Sequence, residues 1–112
     1  SSPAVRARKT AEGIAKELGF KKSEVRIDER LYTFDEDALL RVIWGLDDGL
    51  DEVMVVGHNP AVTALLNRLT RAGVDNVPTC GAAVIEIRSG SWADADDGRG
   101  RLVSFDYPKN IA

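Results

Sequence analysis

The 112-residue chain is 44% hydrophobic and 29% charged, which suits a single soluble globular domain and is too apolar for a disordered segment. Its 15 Lys and Arg against 18 Asp and Glu give a formal charge of −3, without the basic excess of a nucleic-acid binder. One cysteine, Cys80, excludes an internal disulfide and a Cys-based zinc cluster, and one histidine, His58, excludes a poly-His metal site.

The longest unbroken apolar run, Val53-Met54-Val55-Val56, is far too short to span a bilayer, and no signal-peptide pattern is present. The expected setting is cytoplasmic, with no membrane partner. Charge is uneven along the chain. Residues 1–30 carry a net +3, residues 31–58 a net −6, and residues 59–112 balance. Solvated helix faces account for most of this, and the basic first helix could also meet an anion.

The spacing predicts a first helix over residues 3–18, with Ser2 as N-cap and Pro3 at the first helical position. Ala7, Ala11, Ile14 and Leu18 form its apolar stripe, and Gly19 is placed to end it in a left-handed turn. Residues 24–27 read as a short strand. Thr33 and Glu36 make a capping-box pattern before a second helix whose apolar face is Leu39, Leu40, Ile43 and Leu46.

The apolar run at 53–56 reads as a strand covered on both faces, as in a parallel sheet flanked by helices. Gly57-His58-Asn59 forms the turn after it. A third helix starts at Asn59-Pro60, buries Val62, Leu65, Leu66 and Leu69, and closes at Gly73. Residues 82–87 and 102–105 read as an antiparallel hairpin around a polar loop at 91–100. The expected fold is one α/β domain over residues 1–112, a three-layer sandwich. Its sheet is mostly parallel, with helices on both faces and an antiparallel C-terminal hairpin at the edge.

Few residues could carry chemistry. His58 follows the most apolar predicted strand and precedes a helix N-terminus, the position where ligands bind in open α/β sheets. A structural histidine in a tight turn fits that position equally well. Arg6 lies on the first turn of the first helix, and its planar fork matches phosphate. A lone surface arginine is the ordinary alternative. Glu29 follows a predicted strand and could serve as general acid or base, or be a surface carboxylate. Cys80 reads as a small buried residue, and Trp44 and Trp92 as packing residues. No Walker A, GxGxxG or GxSxG element is present.

Three segments in order resemble the histidine phosphatase superfamily, specifically its small SixA-type phosphohistidine phosphatases. They are Ser1-Ser2-Pro3-Ala4-Val5-Arg6-Ala7-Arg8-Lys9-Thr10-Ala11-Glu12, then Asp28-Glu29-Arg30-Leu31-Tyr32, then Val55-Val56-Gly57-His58-Asn59-Pro60. Pro78-Thr79-Cys80-Gly81, Trp92 and the closing Phe105-Asp106-Tyr107-Pro108-Lys109 fit as well, so the resemblance covers nearly the whole chain. It implies a phosphoglycerate-mutase-like fold. It also implies Arg6 as phosphate clamp, His58 as the second histidine on the transferring phosphoryl group, and Asn59 beside them. Glu29 matches only loosely the position of an acidic proton donor. No cofactor and no metal is implied.

The chain departs from the family at one decisive point. The family's nucleophile is a histidine in an Arg-His pair after the first strand, and this chain has no second histidine. The expectation is a sequence that starts inside its domain, lacking the first strand, whose neighbouring strand edge would be exposed and whose stability alone would be low.

The implied activity is a phosphatase with a covalent phosphohistidine intermediate, most simply one that removes phosphate from phosphohistidine on proteins. A broad phosphomonoesterase for small phosphate esters and a non-catalytic phosphate- or partner-binding remnant are the alternatives. Between Glu29 and His58 there is room for one helix and one strand, with no inserted lid. An open pocket of that kind suits phosphate displayed on a protein surface.

Overall fold

The computed structural model describes residues 1–78 and 81–106. The Cys80 and Tyr107-Pro108-Lys109 readings lie outside the described residues. Three α-helices come first in the chain, α1 (Val5–Glu17), α2 (Glu36–Trp44) and α3 (Ala61–Thr70). Two strands follow, β1 (Ala82–Ile87) and β2 (Gly100–Asp106). Single 3₁₀ turns at Lys22–Glu24, Glu29–Leu31 and Trp92–Asp94 punctuate the connections.

Each helix forms where its apolar spacing places it. α1 buries Ala7, Ala11 and Ala15, a stripe of small residues that lets its backbone approach its neighbours closely. Leu18, expected in that stripe, is 62% exposed because the helix has ended before it. Gly19 then takes φ +86°, a left-handed conformation that a residue without Cβ adopts at little cost.

α2 is capped by Asp35, whose carboxylate accepts the N–H of Asp37, so the box expected from Thr33 and Glu36 does not form. Thr33 instead accepts the N–H of Asp35 and shapes the approach to the cap. α3 ends at Arg71, itself left-handed at φ +56°, ahead of the expected Gly73.

The core joins α2, α3 and the loop before β2. Leu39, Leu40 and Ile43 meet Leu65 and Leu69, with Leu31, Ala61 and Ala95 closing the cluster. β1 and β2 form an antiparallel pair in which Ala82 faces Asp106 and Ile87 faces Gly100, with one register shift between Val84 and Ile85. Ile85 and Ile87 pack onto the helical core while Val84 turns outward, the alternation of a sheet with one covered face. At Gly100 the chain passes so close to α3 that an added Cβ would lie 2.7 Å from Ile85 Cγ2 and 3.1 Å from the Leu69 carbonyl.

The expected three-layer sandwich with a mostly parallel sheet is not what forms. The described residues contain a single two-stranded antiparallel sheet, and neither residues 24–27 nor residues 53–56 belong to a ladder. A strand needs a backbone partner as well as apolar side chains. Among the described residues only Val56 of 53–56 has one, its carbonyl accepting the N–H of Ser2 at 2.9 Å. The run is also covered on one side only, since Met54 is 54% exposed while Val55 packs against the core.

Arg26 and Asp28 likewise pair with Ser1 and not with a strand. The Ser1 ammonium donates to the Arg26 carbonyl at 2.7 Å, and the Ser1 carbonyl accepts the Asp28 N–H at 2.9 Å. The first two residues therefore sit between two extended segments and tie them together. No helix among the described residues is long and apolar enough to cross a membrane.

Candidate functional site

The turn at 57–60 is held from three directions. The His58 carbonyl accepts the N–H of Val62 at 2.9 Å and so joins the first turn of α3. Asn59 Oδ1 accepts both the N–H and the hydroxyl of Thr63, at 3.2 and 2.7 Å. Asn59 Nδ2 donates to the Val77 carbonyl at 2.7 Å and to Asn76 Oδ1 at 3.3 Å. The Asn59 amide is thus engaged at both ends in fixing the turn against residues 76–77. It stands at the site as a wall rather than as an open donor.

His58 is half-buried. Its Nε2 lies 2.7 Å from the hydroxyl oxygen of Ser2, and the Tyr32 ring stands beside the imidazole, centroids 5.0 Å apart and planes tilted by 38°. Ser2 is completely buried. Pro3 disfavours helical backbone at the residue before it, so Ser2 stays outside α1 and its side chain turns toward His58. The N-cap of α1 is Ala4, which makes no side-chain cap bond. The capping role expected of Ser2 is replaced by the contact to His58.

Arg6 occupies the first turn of α1, exposed, and no hydrogen bond or ion pair engages its guanidinium among the described residues. Arg6, His58 and Asn59 all border one cleft of about 610 Å³. Its floor is apolar, formed by residues 53–56 with Leu39, Ile43 and Leu65, and it runs between that segment and β1 as far as Trp92. A shallower depression of about 380 Å³ along α1, beside Lys9, Gly13 and Glu17, contains neither Arg6 nor His58.

Glu29 opens the 3₁₀ turn Glu29–Leu31, is exposed, and does not border the cleft. What that turn supplies is Tyr32, whose N–H bonds to the Glu29 carbonyl. Asp28 Oδ1 accepts Nε of Arg30 and Oδ2 accepts Nη2, at 3.0 and 2.6 Å. The Arg30 guanidinium holds the Asp28 carboxyl below its ordinary range. That charge is therefore neutralised locally, at the residue bonded to Ser1. Among the described residues no group of three or more His, Cys, Asp and Glu is arranged to hold a metal ion.

Arg6 and His58, the pair singled out in the sequence, both line this cleft. Ser2 and Tyr32 were not assigned to the site. Both lie in the motif segments, yet only the fold shows that they meet the imidazole.

Comparison with known proteins gives a family without a described activity. Uncharacterized protein ML1117 of Mycobacterium leprae is 31% identical over 119 aligned positions, which cover 96% of this chain and 69% of the relative. The chain belongs to the ML1117 family. Uncharacterized protein Rv1276c of Mycobacterium tuberculosis is similar too, 34% identical over 94 positions covering 75% of this chain and 59% of that protein. Members of the ML1117 family are thus longer than the stretch matched here. No family profile matches the chain, and no solved structure matches it.

Proposed function

We propose that the cleft binds a phosphoryl group between Arg6 and His58, and that the protein is a phosphatase acting on phosphohistidine carried by other proteins. The observation that carries this reading is the shared cleft. A guanidinium with no partner among the described residues and an imidazole at the start of a helix border the same opening. Arg6 would give two parallel N–H bonds to two phosphoryl oxygens, and His58 a third donor. Removing negative charge from the phosphoryl oxygens is the main catalytic demand of such transfers.

The nucleophile expected from the resemblance is not a residue of this chain. The contribution of these 112 residues is to hold and neutralise the phosphoryl group. Ser2 does not fill the vacant role, because a completely buried hydroxyl cannot meet a substrate.

Protein-borne phosphate is favoured over a small ester by the lack of a roof among the described residues. Between Tyr32 and His58 the described chain forms one helix, α2, and that helix packs into the core. Binding of a phosphohistidine-bearing protein compared with a sugar phosphate tests the reading. Tighter binding of the phosphorylated protein supports it, and equal or tighter binding of the sugar phosphate would replace it with a site for small phosphate esters.

A further inference from the structure

Ser2 has a side chain with no access to solvent and a hydrogen-bonding problem with one solution. Its Oγ accepts the N–H of Ala4 at 3.3 Å and lies 2.7 Å from Nε2 of His58. A hydroxyl has a single proton to donate, and a buried hydroxyl must place it on an acceptor. Among the described residues the acceptor in reach is Nε2. If Nε2 carried a proton it would donate to Oγ, and the buried O–H would be left without an acceptor among the described residues.

The contact is satisfied when Ser2 donates and Nε2 accepts. A neutral imidazole that accepts at Nε2 carries its proton on Nδ1. No hydrogen bond engages Nδ1 among the described residues. No buried side-chain nitrogen or oxygen lacks a partner either, so Nδ1 reaches solvent. The side of the ring away from Ser2 therefore offers an N–H to the open.

We propose that Ser2 is a positioning residue whose buried hydroxyl holds neutral His58 in its Nδ1–H tautomer, leaving that N–H to donate to an anion in the cleft. Both partners are fixed through their backbones. The Ser2 N–H is bonded to the Val56 carbonyl, two residues before His58, and Tyr32 restrains the ring on a further side. The Nδ1–H form is the minor tautomer of a free histidine side chain in water, so the contact does specific work. The inference rests on reading His58 as a phosphoryl-binding group, but the tautomer can be measured without any substrate.

The test is a long-range proton–nitrogen NMR spectrum of the protein with its single histidine in the neutral form. The expected spectrum shows one tautomer, with Nε2 as the unprotonated nitrogen. An unprotonated Nδ1, or an average of the two forms, would overturn the proposal on the wild-type protein alone. Ser2→Ala is expected to lose the single tautomer and Ser2→Thr, which keeps the hydroxyl, to retain it. A folded Ser2→Ala protein with an unchanged tautomer would also overturn it. Inorganic phosphate added to the wild type separates the two claims. A ring in the expected tautomer that phosphate does not perturb leaves Ser2 its positioning role and removes the phosphoryl reading.

Discussion

The buried hydroxyl of Ser2 lies 2.7 Å from Nε2 of His58 across 56 positions of sequence. It joins the approach to α1 to the turn that opens α3. Those two elements carry Arg6 and His58, so the contact sets these two cleft-bordering residues relative to each other.

Arg6→Ala is expected to weaken binding of a phosphohistidine protein by about 10- to 100-fold. Hydrogen bonds from a charged donor contribute roughly 1.5–3 kcal/mol, and each 1.4 kcal/mol is about tenfold. The melting temperature should stay where it was, because the exposed guanidinium supports no described contact. Glu29→Gln is the control. Its carboxylate lies off the cleft, and binding should be unchanged. Binding titrations with thermal melts of both variants check this.

Acid should weaken the fold partly through Asp28. Its carboxyl is held below the ordinary 3.8 chiefly by the side-chain bonds from Arg30. A carboxyl with a depressed folded pKa adds stability above its unfolded value, and that stability is lost as pH falls through the folded value. The loss therefore falls below about pH 3.8. Asp28→Asn should flatten the acid limb of stability below that pH and leave the curve at pH 7 to 8 parallel to wild type. Urea melts across pH 2.5 to 7 (about ten points, each extrapolated linearly) measure it.

Trp44 and Trp92 do more than fill space. Trp44 Nε1 donates to the Ala95 carbonyl at 2.6 Å, and Trp92 Nε1 to the Leu50 carbonyl at 3.1 Å. Ala95 is completely buried. Trp44→Phe removes its donor and should cost about 1–3 kcal/mol, the penalty of an unmet buried carbonyl. Denaturant unfolding reads the difference.

Gly100→Ala should destabilise by about 1–3 kcal/mol, the usual cost of overfilling a packed site. The added methyl would press on Ile85 and on the Leu69 backbone, and the latter cannot swing aside as a side-chain end can. Gly90, with nothing within 4 Å of an added Cβ, is the neutral comparison in the same melts.

The elements legible in the sequence are those fixed by local rules. The helical periods of α1, α2 and α3 and the left-handed Gly19 depend on neighbours a few residues away, and β1 and β2 are legible from the pattern within each strand although Ile87 pairs with Gly100 across a loop. The run at 53–56 misleads because unbroken apolarity reports a wish for burial and not the presence of a backbone partner. Residues 24–27 mislead in the same way, Glu24 and Val25 bonding back to Lys21 and Lys22 and Arg26 to Ser1 rather than to a strand. At the site, residue type picked out Arg6 and His58. Ser2 was hidden because a Ser-Pro pair ahead of a helix reads as a cap, and the contact that claims its hydroxyl comes from a distant turn. Asn59 shows the converse, an amide of the right type whose donors and acceptors are taken up by Thr63, Asn76 and Val77.

Phosphate binding at the Arg6 and His58 cleft is most directly tested by titrating inorganic phosphate into the protein and following the His58 ring resonances. The expected result is a saturable shift that Arg6→Ala weakens by at least about tenfold, the loss of one charge-assisted hydrogen bond. Ring resonances that do not move, or that move equally in Arg6→Ala, would contradict a phosphoryl site shared by the two residues.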